Sequence, residues 1–374
     1  MMKRIRKSIA LVLVLAMAML AYGCATTTTP AATSESTGST EPAAADSGDK
    51  IKIGMCVQDL GVAYSQAFAI GAQQACDERG WDLTVIDIQG DAIKTLDTID
   101  NFISMGIDGF IFSGCEDKDA ITPGIEKLNG LGIPIMALDT SPTGGKIDYF
   151  ITFDLVKASE KAAQTMIDGL KAKNGGEVPT GTVIEVWGAL VDTFAKDCDE
   201  GFKNIINQYP QLTVVEGEGK WENDTAYTVT SNMLTRVGSD VVAVYCHTPD
   251  CQGAGVISAI ENAGLNPADL FVSGICIGTE GIELIKQGKL YCAVEQPALD
   301  SAIMAIELFD KIFQGKTAEL PKDGDTLTQE GALWSPAVVK PNDDCEGLQI
   351  VMAGLLCPQE VSPDDPGLYE NRLP

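Results

Sequence analysis

Short apolar runs alternate with longer amphipathic segments along the first half of the chain, from Lys50 onward. The runs are rich in β-branched residues, and the segments between them place apolar residues at helical spacing. Strands that are apolar at consecutive positions are buried on both faces, as in a parallel sheet covered by helices. The pattern therefore predicts βαβα units, with strands at residues 51–57, 83–88, 109–112 and 133–138 and helices at 65–79, 92–105 and 120–131.

The second half repeats this rhythm, and one local detail repeats with it. In each half a helix ends near a glycine, Gly106 or Gly238, and an aspartate, Asp108 or Asp240, then precedes a strand. A glycine just after the last apolar position of a helix is typical of a left-handed helix end. We therefore predict two similar, doubly wound parallel-sheet α/β lobes in one chain. The strands of the second half are expected at residues 182–186, 212–215, 241–245 and 270–273, with helices at 194–208, 226–236 and 253–263.

The first 24 residues have the pattern of an export signal. Four basic residues precede an apolar run at residues 9–20, and the sequence Ala-Tyr-Gly-Cys follows at 21–24. The run is too short for a spanning helix, so residues 1–23 are predicted to be a signal peptide that is removed. A cysteine after a small residue resembles the lipobox of bacterial lipoproteins, which implies that Cys24 is acylated and anchors the chain in the lipid bilayer. The usual leucine three positions earlier is Ala21 here, so an ordinary cleaved signal is the alternative.

Residues 24–49 contain mainly Ala, Thr, Ser, Gly, Pro and Glu, with almost no large apolar side chain. Such a segment cannot bury enough apolar surface to offset the entropy of ordering it. We predict a disordered tether that holds the globular body outside the cytoplasm, lipid-anchored to the outer face of the cytoplasmic membrane or in the periplasm.

The net charge of the chain limits the classes of partner that it can bind. Its formal net charge is −27, and removal of the basic signal would make the mature chain still more negative. Nucleic-acid binding needs Lys and Arg to neutralise phosphates, so this balance argues against a nucleic-acid partner.

The chain has 11 cysteines, most of them within apolar segments rather than in loops. Free cysteine behaves as a small hydrophobe that is often fully buried. We therefore predict core positions for the four that lie in strand-like runs, Cys56, Cys246, Cys276 and Cys292. Cys345 and Cys357 flank a short apolar stretch near the C-terminus, and whether they form a disulfide is left open by the sequence.

Several motifs, in their order and spacing, resemble those of the ribose- and galactose-type periplasmic binding proteins. They are Ile-Lys-Ile-Gly-Met at residues 51–55, Gly-Ala at 71–72, Gly-Trp at 80–81, Ile-Pro-Ile-Met-Ala-Leu-Asp at 133–139 and Asp-Glu-Gly-Phe at 199–202. The resemblance covers residues 51–340. It implies a type I periplasmic binding protein fold, with two lobes joined by three hinge crossings, and a membrane permease with its ATPase, an ATP-binding-cassette importer, as partner.

The same resemblance gives the expected lobe boundaries. The N-terminal lobe would take residues 50–153 and 296–328, and the C-terminal lobe 154–295 and 329–340. The crossings would lie near Phe153, Glu295 and Thr328. Residues 341–374 would be an acidic, Pro-rich C-terminal extension that the resemblance does not place.

Residues that follow the strands are the candidate binding site, because ligands in open α/β sheets bind beyond the carboxyl ends of the strands. Aromatic rings there can stack on a ligand ring while polar groups bind its edge. Asp139 is the leading candidate because it follows a wholly apolar strand, although any one of these residues could instead be a loop residue or a helix cap. The predicted ligand-binding residues are Tyr64, Ser65, Asp139, Thr140, Trp187, Cys198, Trp221, Asp250 and Glu295, and Gln296 and His247 lie at the same strand ends.

Three polar positions of the ribose-type site differ here. The arginine expected before the Glu-Gly-Phe turn aligns with Cys198, and the aspartate expected before Gly278 is replaced by Ile277. The asparagine expected after the strand at 241–245 falls near Thr248 or Pro249, although Asp250 remains. Acceptor carboxylates without a forked guanidinium repel anions. We therefore expect a small, uncharged or cationic sugar or cyclitol rather than a sugar phosphate.

Catalysis finds little support in the sequence. The single histidine, His247, excludes His-rich zinc sites and mechanisms that need two histidines, and no glycine-rich phosphate loop is present. We expect no metal and no cofactor, and a surface hydrolase would need a nucleophile and base that no strand end supplies. A receptor for an importer is the favoured interpretation. A ligand-loaded sensor subunit for a membrane kinase or chemoreceptor is the alternative, and the sequence does not separate the two because both would use the same residues.

Overall fold

The computed structural model describes residues 50–114 and 117–374. The predicted signal peptide, Cys24 and the tether lie outside these residues. The described residues form one compact unit.

The first half of the chain forms the parallel core of one lobe. Its elements follow in the predicted order: β1 (Lys52–Val57), α1 (Ala63–Arg79), β2 (Asp82–Asp87), α2 (Ala92–Met105), β3 (Gly109–Ser113), α3 (Thr122–Leu131), β4 (Ile135–Leu138) and β5 (Lys146–Phe153). Every residue of β3 and β4 is buried, as consecutive apolar positions predict. Asp91 accepts hydrogen bonds from the backbone N–H groups of Ile93 and Lys94 and so starts α2, and Gly106 ends it at φ 68°, ψ 56°.

The chain then builds the second lobe. It contains α4 (Leu155–Lys173), β6 (Gly181–Trp187), α5 (Thr193–Ile206), β7 (Leu212–Glu218), α6 (Asn223–Val237), β8 (Val241–Cys246), α7 (Pro249–Asn262), β9 (Ser273–Ile275), α8 (Gly278–Lys286) and β10 (Cys292–Val294). Gly238 differs from its expected counterpart Gly106: its ψ is −132°, and it begins a 3-10 turn instead of a left-handed helix end.

The remaining elements are α9 (Ala298–Phe313), β11 (Thr326–Leu327), β12 (Ala337–Pro341), β13 (Glu346–Met352) and β14 (Leu356–Cys357). The first lobe has an eight-stranded sheet in the order β11-β12-β13-β5-β4-β3-β1-β2, and the second a six-stranded sheet in the order β14-β10-β9-β8-β6-β7. Helices cover both faces of each sheet, and the apolar core clusters lie between helices and sheet. The predicted fold class, two doubly wound parallel-sheet lobes, is confirmed.

The third crossing between the lobes lies later in the chain than expected. β12 pairs antiparallel with β13, and β13 pairs parallel with β5, with Ile350 beside Ile151. The assignment of residues 329–340 to the C-terminal lobe is therefore wrong, because this segment extends the first sheet. The chain crosses after Met352 and enters the second sheet at β14, which pairs antiparallel with β10.

The same pairing shows that residues 341–374 are not a separate appendage. Residues 346–352 form a strand of the first sheet, and residues 356–357 form one of the second. Cys345 and Cys357 are both free thiols and belong to segments of different sheets, so they form no disulfide. The core positions predicted for Cys56, Cys246, Cys276 and Cys292 are confirmed, since none is more than 4% exposed.

Candidate functional site

Asp139 is the centre of a hydrogen-bonded group at the carboxyl end of β4. It accepts hydrogen bonds from the Tyr64 hydroxyl at 3.0 Å, from Gln296 Nε2 at 3.3 Å and from the Thr140 hydroxyl at 3.3 Å. Tyr64 lies in the first turn of α1, and Gln296 lies in the second crossing. Burial raises the pKa of Asp139 to about 6. Three elements that are distant in sequence therefore converge on one buried carboxyl group.

Gln296 extends this group into the second lobe. Its Oε1 accepts a hydrogen bond from the Cys276 thiol at 2.9 Å, and Cys276 directly follows β9. The backbone N–H of Asp250, at the start of α7, donates to the Cys276 carbonyl at 3.1 Å. The carboxyl ends of the strands in both lobes thus meet at one junction.

Asp250 lies at this junction with an unsatisfied oxygen. Its Oδ1 is buried and has no hydrogen-bond partner among the described residues. Burial first, with a further contribution from the nearby charge of Asp139, raises the pKa of Asp250 to about 7. The predicted residues Tyr64, Asp139, Thr140 and Asp250 are therefore brought together.

The two predicted tryptophans lie in a different part of the second lobe. Trp221 has φ 61°, and its ring lies directly over Gly188 and edge-on to Phe194, with the centroids 5.7 Å apart. Trp187 is 8% exposed and packs on His247 at 5.2 Å between ring centroids. No described contact joins either tryptophan to Asp139.

Asp192 connects these two regions. It begins α5 one residue before Thr193, and its charge contributes to the raised pKa of Asp139. The N-terminal end of α5, with Asp192 and Phe194, therefore lies near the carboxyl end of β4, at the cleft between the lobes. Trp221 is placed on the second-lobe side of that cleft, through its contact with Phe194.

Two neighbours fix the ring of the buried His247. Its Nε2 lies 3.0 Å from Glu185 Oε1, and its Nδ1 accepts a hydrogen bond from the backbone N–H of Gly188 at 3.3 Å. Burial lowers the pKa of His247 to about 3. Its observed contacts are those of a packed structural residue.

Two other predicted residues occupy packing positions. Cys198 is fully buried in the core cluster with Phe202 and Tyr245, which favours a packing role over the predicted ligand contact. Burial also raises the pKa of its thiol. Ser65 is 7% exposed on the inner face of α1, and no side-chain hydrogen bond is described for it.

The sequence reasoning missed several residues of the junction. The sequence predicts Cys276 only as a core residue, and Tyr369 and Glu370 belong to the C-terminal segment that the resemblance does not place. The Tyr369 ring lies 6.3 Å from the Tyr64 ring, and Glu295, which is 1% exposed, lies near both tail residues. No strand-end rule could find Tyr369, because it follows no strand of a repeating unit.

A cavity beside Tyr64 is too small for a sugar in this arrangement of the lobes. Its volume is about 10 Å³, and Asp139, Thr152, Gln296 and Ser301 contribute to its lining. That volume holds about one water molecule. A ring-sized ligand therefore does not fit this cavity as the structure has it.

Among the described residues, one group has the spacing of metal ligands: Glu185, Asp199 and Glu216. Lys203 already lies within it, with its amine 2.6 Å from Asp199 and 2.9 Å from Glu216. The lysine supplies the positive charge that this group needs.

No helix in the described part of the chain combines the length and the hydropathy that a membrane crossing requires. Two parallel-sheet lobes, joined by three crossings and meeting at their carboxyl strand ends, define the type I periplasmic binding protein fold. Residues 53–317 match the model of the periplasmic binding protein domain, and the chain belongs to this family.

Individual relatives agree with this assignment. The chain is 27% identical over 276 residues to the ribose import binding protein RbsB of Bacillus subtilis, covering 73% of this chain and 86% of that protein. A solute binding protein from Actinobacillus succinogenes with bound D-allose has a TM-score of 0.66 at 20% identity, covering 82% of this chain and 97% of the other. The fructose binding periplasmic domain of a hybrid two component system has a TM-score of 0.64 at 19% identity, covering 83% and 91%. At these identities the two structures show similarity of fold alone.

Proposed function

We propose that this protein is an extracytoplasmic receptor, and not an enzyme, that captures a small sugar-like ligand between its lobes and delivers it to an ATP-binding-cassette importer. The observation that carries the proposal is the junction at which Tyr64, Asp139 and Gln296 meet Cys276 and Asp250. Hydrogen-bonding groups from both lobes converge there, so a ligand bound between them would favour the closed arrangement. The ribose- and allose-binding relatives support a sugar-like ligand.

In this proposal, ligand binding closes the two lobes by rotation about the three crossings. A ligand can shift the lobes toward closure only by the difference between its affinities for the closed and open arrangements. Carboxyl and amide groups at the junction would bind ligand hydroxyls only when both lobes reach them. The permease would then recognise the closed form.

Small-angle scattering of the mature protein, with a panel of pentoses, hexoses and cyclitols, tests closure. We expect at least one of them to reduce the radius of gyration at saturation and to bind in calorimetry. Binding without a change in radius would contradict a closing receptor. Loss of uptake of the same sugar on deletion of the gene would support delivery to an importer.

A sensor subunit is the second candidate. The fructose binding periplasmic domain of a hybrid two component system, similar in fold to this chain, is the observation that favours it. Chemical crosslinking of the ligand-loaded protein in native membranes separates the two functions. Capture of a permease supports the importer, and capture of a histidine kinase or chemoreceptor supports sensing.

A further inference from the structure

The C-terminal tail, defined here as residues 356–374, is held on the second lobe along most of its length. β14 pairs with β10, and Val361 and Leu368 are buried in the apolar core of that lobe. Glu360 forms an ion pair with Lys161 at 2.7 Å. The tail therefore has a defined course up to Leu368.

Beyond Leu368 the tail reaches the first lobe. The ring of Tyr369 packs 6.3 Å from the ring of Tyr64, at the junction that contains Asp139. Arg372 forms an ion pair with Asp300 of α9 at 2.7 Å. The turn at Tyr369–Asn371 thus lies where both lobes and the proposed ligand site meet.

This turn brings polar groups to the junction, and several of their oxygens lack a well-aligned hydrogen-bond partner. Among the described residues, no hydrogen bond of good geometry reaches one buried oxygen each of Asp250, Glu295 and Tyr369, or either carboxylate oxygen of Glu370. The backbone N–H groups of Glu370 and Gly278 and the Tyr369 hydroxyl lie close enough to lower the pKa of Glu370, but they do not offset the effect of its burial. Glu295, Tyr369 and Glu370 are 1%, 2% and 6% exposed. A buried polar atom without a partner carries its full desolvation cost, so a cluster of them in one place calls for a missing partner.

The charges at this cluster are unbalanced. Burial first, and then the charge of Glu370, raises the pKa of Glu295; burial, with a contribution from Asp250, raises the pKa of Glu370 to about 7. Asp139 and Asp300 add further negative charge nearby. Arg372 is the cation that faces Glu295, and its guanidinium is already paired with Asp300.

The chemistry of these acidic groups indicates which ligand group would pair with them. A protonated amine offers three donors and a positive charge, whereas a hydroxyl offers one donor and no charge. Hydrogen bonds between ionised groups are about twice as strong as neutral ones. A small metal ion fits less well, because Asp250, Glu295 and Glu370 do not have the close spacing found at Glu185, Asp199 and Glu216 within the described residues.

We propose that the tail is part of the ligand site, and that Glu370, with Asp250 and Glu295, receives a protonated amine of the ligand. The ligand class is then an amino sugar or an aminocyclitol. This inference rests on the proposed function, since it names the substrate of the same junction. The ring hydroxyls would bind at Asp139 and Gln296, and the amine would lie toward the tail.

Calorimetry at pH 7 on the mature protein in detergent tests the inference with matched pairs. The pairs are glucosamine and glucose, galactosamine and galactose, and amino-scyllo-inositol and scyllo-inositol. We expect at least one amine to bind tenfold or more tightly than its hydroxyl counterpart. Glu370→Gln, which keeps the shape and removes the charge, should reduce that preference at least tenfold. Glu360→Gln, on the same tail but outside the junction, should leave it unchanged.

Thermal unfolding of each variant checks that the fold is retained, and Asp250→Asn provides a second neutral variant if Glu370→Gln does not fold. Tighter or equal binding of the hydroxyl members would overturn the inference while leaving the proposed function intact. Equal strengthening of both members by Glu370→Gln would also overturn it, because the tail would then obstruct the site. Absence of binding by every member would count against the proposed function as well.

Discussion

Several non-glycine residues near the cleft have left-handed backbone conformations. Asp139, Trp221 and Cys276 have φ angles of 63°, 61° and 58°. Such conformations cost of order 1–3 kcal/mol each and persist only where the surroundings determine them, most often at binding sites. Asp139 is held in its left-handed conformation by the hydrogen bonds that it accepts from Tyr64 and Gln296. Strained residues at strand ends of both lobes are consistent with a site between them.

Asp139→Ala should lower ligand affinity at least a hundredfold. The change removes the acceptor shared by Tyr64 and Gln296 and leaves ligand hydroxyls without a partner. Calorimetry with the best ligand from the panel measures the effect. Asp82→Ala is the control, because Asp82 begins β2 at the opposite end of the same sheet and is exposed. Equal affinities for the two variants would remove Asp139 from the site.

Whether Trp221 stacks on the ligand can be tested without removing its ring. A methyl group at Gly188 would overlap the six-membered ring of Trp221, so Gly188→Ala should displace the indole from its place beside Phe194. If Trp221 stacks on the ligand, Gly188→Ala and Trp221→Ala should each weaken binding about tenfold, since stacking contributes of order 1 kcal/mol beyond buried area. Trp81→Ala, with the ring packed on Phe313 of the first lobe, is the control. Unchanged affinity in both test variants would place Trp221 outside the site.

At the scale of elements, the last part of the chain connects the lobes twice. β12 and β13 complete the first sheet, and the tail then completes the second sheet before its end returns to α1 and α9 of the first lobe. The lobes are thus joined by crossings and also by contacts of the tail end. Tyr369 packs on Tyr64 of the first lobe and directly follows Leu368, which is buried in the second lobe. When the lobes move relative to one another, Tyr369 must therefore shift relative to one of these two residues.

Leu368→Ala should destabilise the protein by about 2–4 kcal/mol, because Leu368 is fully buried in the second-lobe core. Hydrogen exchange of residues 368–373 should accelerate in parallel, since this side chain fixes the tail before it reaches the first lobe. Denaturant unfolding gives the free energy. Leu131→Ala, at a position 59% exposed, is the matched control. A loss no larger than that of the control would show that the tail is not held by its apolar contacts.

At the scale of the whole molecule, buried acids couple stability to pH. Asp250 and Glu370 have pKa values raised to about 7 by burial, so the folded chain binds more protons than the unfolded chain between about pH 4 and pH 7. Stability contributed by these two groups is therefore lost as pH rises through that window. Glu160, Asp269 and Glu360 have lowered pKa values and act in the opposite direction.

The comparison of wild type with Glu370→Gln isolates this effect. From pH 5 to pH 8 we expect the ligand-free wild type to lose more unfolding free energy than the variant, by of order 1–3 kcal/mol, since each pKa unit is worth about 1.4 kcal/mol. Denaturant unfolding at both pH values measures the difference. Glu360→Gln is the control, because the pKa of Glu360 is lowered and not raised. This variant should not lose less unfolding free energy than the wild type between pH 5 and pH 8. Parallel curves for wild type and Glu370→Gln would mean that Glu370 does not titrate differently on folding.

The other prediction at this scale is that acylated Cys24 anchors the protein in the lipid bilayer, and it follows from the sequence of residues 1–24. Metabolic labelling with a clickable fatty acid should mark the wild-type protein and leave Cys24→Ser unmarked. Cys24→Ser should also appear in the soluble fraction. An unlabelled wild-type protein in the medium would contradict anchoring and leave secretion in place.

The sequence by itself predicted the two parallel-sheet lobes, because short apolar runs such as 109–112 and 133–138 alternate with amphipathic helical segments, and the second half of the chain repeats this alternation. It also predicted that Tyr64, Asp139 and Asp250 lie at the carboxyl ends of the strands, where the structure brings them together; that they bind ligand stays a prediction. The tertiary structure alone decided that β12 and β13 join the first sheet, because strand pairing depends on partners far away in sequence. It alone brought Tyr369 and Glu370 to Tyr64 and Asp250, since no local periodicity encodes where a chain end folds back across two lobes.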